Sequence, residues 1–209
     1  MSADHVPPKC LFAPVSRVNL ITVPACRTCN SSYKLDDEYF RLVLSIRADL
    51  PKSRAAQYIR DSTLRSLRKP EAQKLRRSIV SSTRQFALRD AYGFQFGQVG
   101  RLRVNYSRLK NTAERIVKGF YYHFYSSPLP KAYEVDIVLI DLLDHTDFLQ
   151  GPEISQLLSH LAIKGYQLSR GEICSIRACA SDDDAYSTFW FVHLFGTFGF
   201  FAFTAPKDG

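Results

Sequence analysis

The sequence predicts an α+β protein, and three observations carry that expectation. The C-terminal third alternates bulky apolar residues with polar ones in short runs bounded by Gly and Asp, the pattern of antiparallel strands. The middle is divided by Pro51 and Pro70 into stretches of helical composition. The first 50 residues hold a proline pair, a Cys-x-x-Cys and then an amphipathic run with acidic residues at its start. The expected organisation is a small N-terminal module over 1–50, a basic helical segment over 51–90 and an α+β accessory domain over 91–209.

Each element has a local reason. Pro7-Pro8 ends any strand that carries Asp4 and His5, because proline cannot donate to a ladder. Lys34 to Leu50 reads as a helix: Asp36, Asp37 and Glu38 enrich its first turn as the helix dipole prefers, and Tyr39, Phe40, Val43, Leu44 and Ile46 form its apolar stripe. Two further helices are expected over 52–68 and 71–87, short strands over 93–97 and 102–105, and a helix over 107–126. Beyond them come strands over 135–143, 172–180, 186–194 and 198–204, a helix over 153–162 after Pro152, and a hairpin turn from Gly196 to Gly199. The alternation in 187–195 suggests a sheet with one face covered and the other solvated or roofed by a helix.

Charge is unevenly distributed. The chain carries a formal charge of +8, yet residues 52–89 hold eleven basic residues against Asp61 and Glu71. From Lys131 onward eleven acidic residues face five basic ones. The basic block reads either as a pair of solvated helices or as a phosphate-binding surface, since Lys and Arg supply sequence-independent affinity for a polyanion by releasing counterions. Arg60, Arg65, Arg68, Lys69, Lys74, Arg76 and Arg77 are its candidate nucleic-acid contacts. The acidic far end is the candidate surface for a protein partner. Five cysteines without a secretory leader favour a reducing cytoplasm over a disulfide framework. The most apolar run, Phe189 to Phe203, is broken by His193 and Gly196 and is too short to span a membrane.

The N-terminal residues carry the chemistry. Asp4 is a hard oxygen donor suited to Mg²⁺ or Mn²⁺, and His5 beside it titrates where a general base is useful. Neighbours on a strand point to opposite faces, so both can serve one site only at a bend, a bulge or a strand end. Cys26 and Cys29 have the spacing of a zinc knuckle. Asp182-Asp183-Asp184 reads as a solvated loop between strands, and Cys174 and Cys179 as core residues. The aromatic run Phe120 to Tyr125 beside Arg108, Lys110, Arg115 and Lys118 offers base stacking or, at helical spacing, core packing.

In order and spacing, Asp4-His5, Asn19-Leu20, Cys26-Arg-Thr-Cys29-Asn30 and Asp36-Asp37-Glu38-Tyr39-Phe40 resemble the HNH endonuclease family, whose ββα-metal module wraps a hairpin and a helix around one catalytic divalent cation. The resemblance implies a hydrolase acting on phosphodiester bonds in DNA. In it His5 activates water, Asp4 and Asn30 hold Mg²⁺ or Mn²⁺, and Asn19 pins the hairpin loop and so orients His5. Cys26 and Cys29 would belong to a structural Zn²⁺ site, which in many members needs a second Cys-x-x-Cys upstream. Only three residues precede Asp4 here. Either the natural start lies further upstream or the module is short and degenerate, binding nucleic acid or protein without cleaving. Cys10 is the available third thiol, with a free thiol as its alternative reading. The family resembled is of bacterial and phage type, and a double-strand break from one site per chain would favour a homodimer or two nicking events.

Overall fold

The computed structural model describes residues 1–141 and 165–207, together with Ser155, Gln156, Ser159 and Leu161. The fold is α+β, with fourteen principal elements among those residues. Strands β1 (Ser2–Val6) and β2 (Ile21–Ala25) pair as an antiparallel hairpin, followed by helices α1 (Arg27–Ser32), α2 (Lys34–Ser45), α3 (Arg54–Leu67) and α4 (Gln73–Ser82). A second antiparallel hairpin, β3 (Thr83–Arg89) and β4 (Gln95–Leu102), leads into the long helix α5 (Tyr106–Tyr125). Strands β5 (Tyr133–Asp141), β6 (Tyr166–Arg170), β7 (Cys174–Ala180), β8 (Thr188–Leu194) and β9 (Phe198–Pro206) form one antiparallel sheet in the order β5-β9-β8-β7-β6.

The sheet's two faces follow from strand alternation. Trp190, Val192 and Leu194 of β8 point one way, with Phe200 and Ala202 of β9, into the main core. Phe189 points the other way and, with Phe201, Ile140 and Leu161, forms a smaller cluster against which Phe191 packs. Leu161 is one of the four described positions of the helix expected over 153–162, and all four are helical. The rest of that helix, residues 142–143 of the expected strand, and His145 and His160 lie outside the described residues.

Helix α5 is the axle of the molecule. It packs on α2, β1, β2, β5 and β9, and Ile116, Val117, Phe120 and Tyr121 are all buried. Asn105 caps its N-terminus, accepting from the Arg108 backbone N–H at 3.3 Å. The aromatic run thus enters the core, and Phe124 stacks on Tyr166 with ring centroids 4.9 Å apart. Gly119 is what lets β1 lie so close, because a Cβ there would collide with the side chain of buried Val6. One continuous cluster of buried residues takes members from 1–50, 51–90 and 91–209: Phe40 of α2, Ile59 of α3, and Phe120 and Trp190 all belong to it.

Several boundaries differ from the sequence expectation. The first amphipathic helix stops at Ser45, five residues short of Leu50. The second basic helix stops at Ser82, and 83–87 is strand. The β-branched Thr83 is already extended, and its hydroxyl donates to the Ile79 carbonyl at 2.7 Å. What reads as two short strands over 93–97 and 102–105 is mostly the single strand β4, since Arg103 to Asn105 only link it to α5. The β8–β9 turn centres on Phe195-Gly196, earlier than expected, with Thr197 N–H donating to the Leu194 carbonyl at 3.2 Å. Strand β6 was not anticipated.

Candidate functional site

The N-terminal hairpin and α1 occur in ββα order. Strand β1 ends at Val6, where the Val6–Pro7 bond is cis, and two 3-10 turns (Lys9–Leu11 and Pro14–Ser16) carry the chain to β2. Asn30 anchors α1 to the hairpin: its amide nitrogen donates to the Ala3 carbonyl at 3.1 Å and to the Ser2 hydroxyl at 3.2 Å. This leaves the Asn30 amide oxygen as the group available to a ligand.

Asp4, His5 and Asn30 line one cavity of about 490 Å³, shared with Lys9, Arg17, Asp37 and Glu38. Alternation along β1 operates as expected, for Asp4 is 7% exposed and faces inward while His5 is half-buried beside it. The two neighbours share a cavity because β1 is only five residues long and ends within one residue of His5. Burial, reinforced by Lys9, holds the His5 imidazole below its usual range against the opposing pull of Asp4. That direction favours the neutral imidazole, the form able to accept a proton.

Arg115 of α5 completes the site, and sequence reading did not assign it there. Its guanidinium lies 3.7 Å from the Asp4 carboxylate, pairs closely with Asp37 and stacks over the Tyr33 ring at 4.5 Å. Burial pushes the Asp37 carboxyl up to about 6, although Arg115 pulls it down. Arg108, one heptad earlier on the same face, pairs with Asp36 at 2.7 Å. The i, i+7 spacing of the arginines opposite Asp36-Asp37 was the available signal. The acidic start of α2 thus serves as counter-charge to α5 as well as complement to a helix dipole.

The other expected residues fall out as follows. Asn19 lies just before β2 with φ +56°, a left-handed conformation that Asn tolerates, and its exposed side chain makes no hydrogen bond among the described residues. It shapes the loop through its left-handed backbone, and no hydrogen bond joins its side chain to the strand that carries His5 among the described residues. Cys26 caps α1, its sulfur accepting from the Cys29 backbone N–H at 3.0 Å. A hydrogen bond from the Cys29 thiol, with the backbone one behind it, holds the Cys26 thiol below its usual range. Both thiols are exposed and open on a second cavity of about 560 Å³, lined also by Asp4, Arg115, Lys118, Lys131 and Lys207 but not by His5 or Asn30.

Neither metal has a full ligand set. No group of three or more His, Cys, Asp or Glu side chains is placed to hold an ion among the described residues. For Zn²⁺ the Cys26–Cys29 pair lacks two of four ligands, since half-buried Cys10 turns its thiol to the Asp37 carbonyl at 3.6 Å. Mg²⁺ or Mn²⁺ asks less, because such ions keep several waters and use one or two protein oxygens together with substrate phosphate. Asp4 and Asn30 are oxygen-bearing residues of that kind on the cavity, and Arg115 stands 3.7 Å from the Asp4 carboxylate.

The basic helices divide into two groups. Arg60 donates to the Ser45 and Arg47 carbonyls at the end of α2, and Arg76 donates to the Leu67 and Lys69 carbonyls at the end of α3, so both act as helix caps. Arg65, Arg68, Lys69, Lys74 and Arg77 are exposed, with no ion pair among the described residues. Among those residues no helix is long and apolar enough to cross a membrane. No protein-family model, curated protein or solved structure matches this chain.

Proposed function

We propose that the chain is a phosphodiesterase of the ββα-metal type acting on DNA, with His5 as the base that activates water. The observation that carries this reading is the convergence of Asp4, His5 and Asn30 on one cavity through a hairpin and the helix that follows it. Neutral His5 accepts the proton of the attacking water, and the surrounding Lys9 and Arg17 attract the phosphate. A divalent cation held by Asp4 and Asn30 would supply charge stabilisation at the phosphate and leaving oxygen. The free cations of α3 and α4 supply non-specific affinity for the backbone.

The pairing of Asp4 with Arg115 favours a second reading, in which the module binds nucleic acid but no longer cleaves it. The deciding experiment is nicking of supercoiled plasmid by the chain and by His5→Ala, each with Mg²⁺, Mn²⁺ or EDTA. Metal-dependent nicking that disappears in His5→Ala supports the hydrolase. Plasmid binding by both proteins without nicking supports the second reading.

A further inference from the structure

The hairpin β3–β4 has no part in the site above, yet its construction is unusual for a surface element. Its strands pack extensively only on each other, and they project directly from the end of α4, tied at the base by the Arg103 N–H donating to the Ser82 carbonyl at 2.8 Å. At roughly 3.3 Å per residue the ribbon reaches about 25 Å from that base.

Its two faces differ. Register places Phe86 opposite Val99 and Arg84 opposite Arg101, with Leu88 on the same face. That face is apolar yet open to solvent, with Phe86 46% exposed. The cross-strand arginines repel one another, since like charges directly opposite destabilise a ladder. Neither has an anionic partner among the described residues. At the tip, the Asp90 carboxylate accepts from the backbone N–H groups of Tyr92 and Phe94, both at 2.9 Å, and Gly93 takes φ +89°. This fixed turn presents Tyr92 and Phe94 to solvent, 89% and 74% exposed. The one carboxylate of the ribbon is thus spent on holding the aromatic tip.

We infer that the β3–β4 ribbon is a duplex-DNA arm. Its apolar face lies along the minor groove, Arg84 and Arg101 neutralise phosphates at its base, and Tyr92 and Phe94 wedge against a base step at its tip. Charge selects the occupant: a polyanion relieves the repulsion between Arg84 and Arg101, which face each other across the ladder, and Lys74 and Arg77 of α4 and Arg103 after β4 are further exposed cations. Apolar ribbon faces and inserted aromatic wedges are devices by which proteins grip and kink the minor groove. The inference rests on the nucleic-acid half of the reading above and not on catalysis.

The test uses the full chain in EDTA with a 20-base-pair duplex, labelled for anisotropy and for end-to-end energy transfer. Variants are Arg84→Ala/Arg101→Ala, Tyr92→Ala/Phe94→Ala and, as a control outside the ribbon, Arg65→Ala/Arg68→Ala. All the substituted side chains are exposed, and circular dichroism checks each fold. Wild type binds and bends the duplex. The arginine variant binds roughly tenfold more weakly, with a log-log salt slope shallower by about two, and the tip variant binds without bending. Ribbon variants that bind and bend like wild type, while the α3 control loses affinity, would overturn the arm and leave the nucleic-acid reading intact. Two other results also overturn the arm: equal competition by single strands, or ribbon variants that change only the oligomeric state. No duplex binding by wild type in EDTA overturns the arm, and the nicking assay then decides separately whether the nucleic-acid reading stands.

Discussion

Among the described residues are two isolated antiparallel hairpins, and the chain uses them in opposite ways. Hairpin β1–β2 is pressed onto α5, with Val6 and Ile21 buried, Asp4 paired to Arg115 and α1 fastened across it by Asn30. Hairpin β3–β4 is at least as long but leaves both faces in solvent. A two-stranded ribbon is marginal by itself in water, so β1–β2 takes its order from the core and can hold a site to fixed geometry. The β3–β4 ribbon depends on its own ladder and tip, and is suited to adapt to a partner.

The sharpest way to break this contrast is to remove a charge from each hairpin's surroundings. Arg115→Ala leaves Asp4 and Asp37 uncompensated and is expected to lower unfolding free energy by about 3 kcal/mol in urea titration. Arg84→Ala on the ribbon should stay within about 0.5 kcal/mol. Equal effects would mean that α5 does not lock the first hairpin. Glycines give the next contrast. Gly119→Ala forces a Cβ into stiff, buried Val6 and should cost about 1–3 kcal/mol. A Cβ at Gly97 of β4 meets only Leu88 Cδ1 at 3.7 Å, an ordinary contact, so Gly97→Ala should leave the thermal midpoint nearly unchanged.

A smaller effect is expected from Asn30→Ala, about 1 kcal/mol for the lost bonds to β1. It should also speed amide exchange at Ala3 and Asp4 while the ribbon's exchange stays constant. The smallest effect is in pH dependence. The Asp37 carboxyl, raised to about 6 in the folded state, contributes stability that is full below its ordinary 3.8 and lost as pH rises through about 6. His5, held below 6.5, has the opposite sign: its contribution is present above 6.5 and lost as pH falls through its folded value. The two oppose each other in wild type. In His5→Gln the thermal midpoint should therefore rise more steeply as pH is lowered from 7 toward 4, and an unchanged profile would show that His5 is not desolvated.

Much of the fold was legible because its signals are local. The strands β7, β8 and β9 follow their alternation, α5 follows its apolar spacing, and Pro7-Pro8 ends β1 as proline chemistry requires. Misses came where a neighbour distant in sequence decides. Thr83 to Ala87 is compatible with helix until β4 offers a ladder. Among the candidate site residues, Asp4, His5 and Asn30 do share a cavity, but the pairing of Arg115 with Asp4 arises only because α5 crosses the hairpin beside Gly119. Of the seven basic candidates, Arg60 and Arg76 turned out to be helix caps because the ends of α2 and α3 lie within their reach.

The sequence by itself determined the α+β class, most of the helices and strands, the position of the basic block and the residues on which the proposed hydrolysis rests. Periodicity, capping and proline act over a few residues, so they survive in a one-dimensional reading. Only the tertiary structure decided which arginines are spent on carboxylates and carbonyls, which hairpin is buried and which stands free, and that Asp4 meets a guanidinium. Burial and charge pairing depend on which surfaces the folded chain brings together, and no local pattern records that.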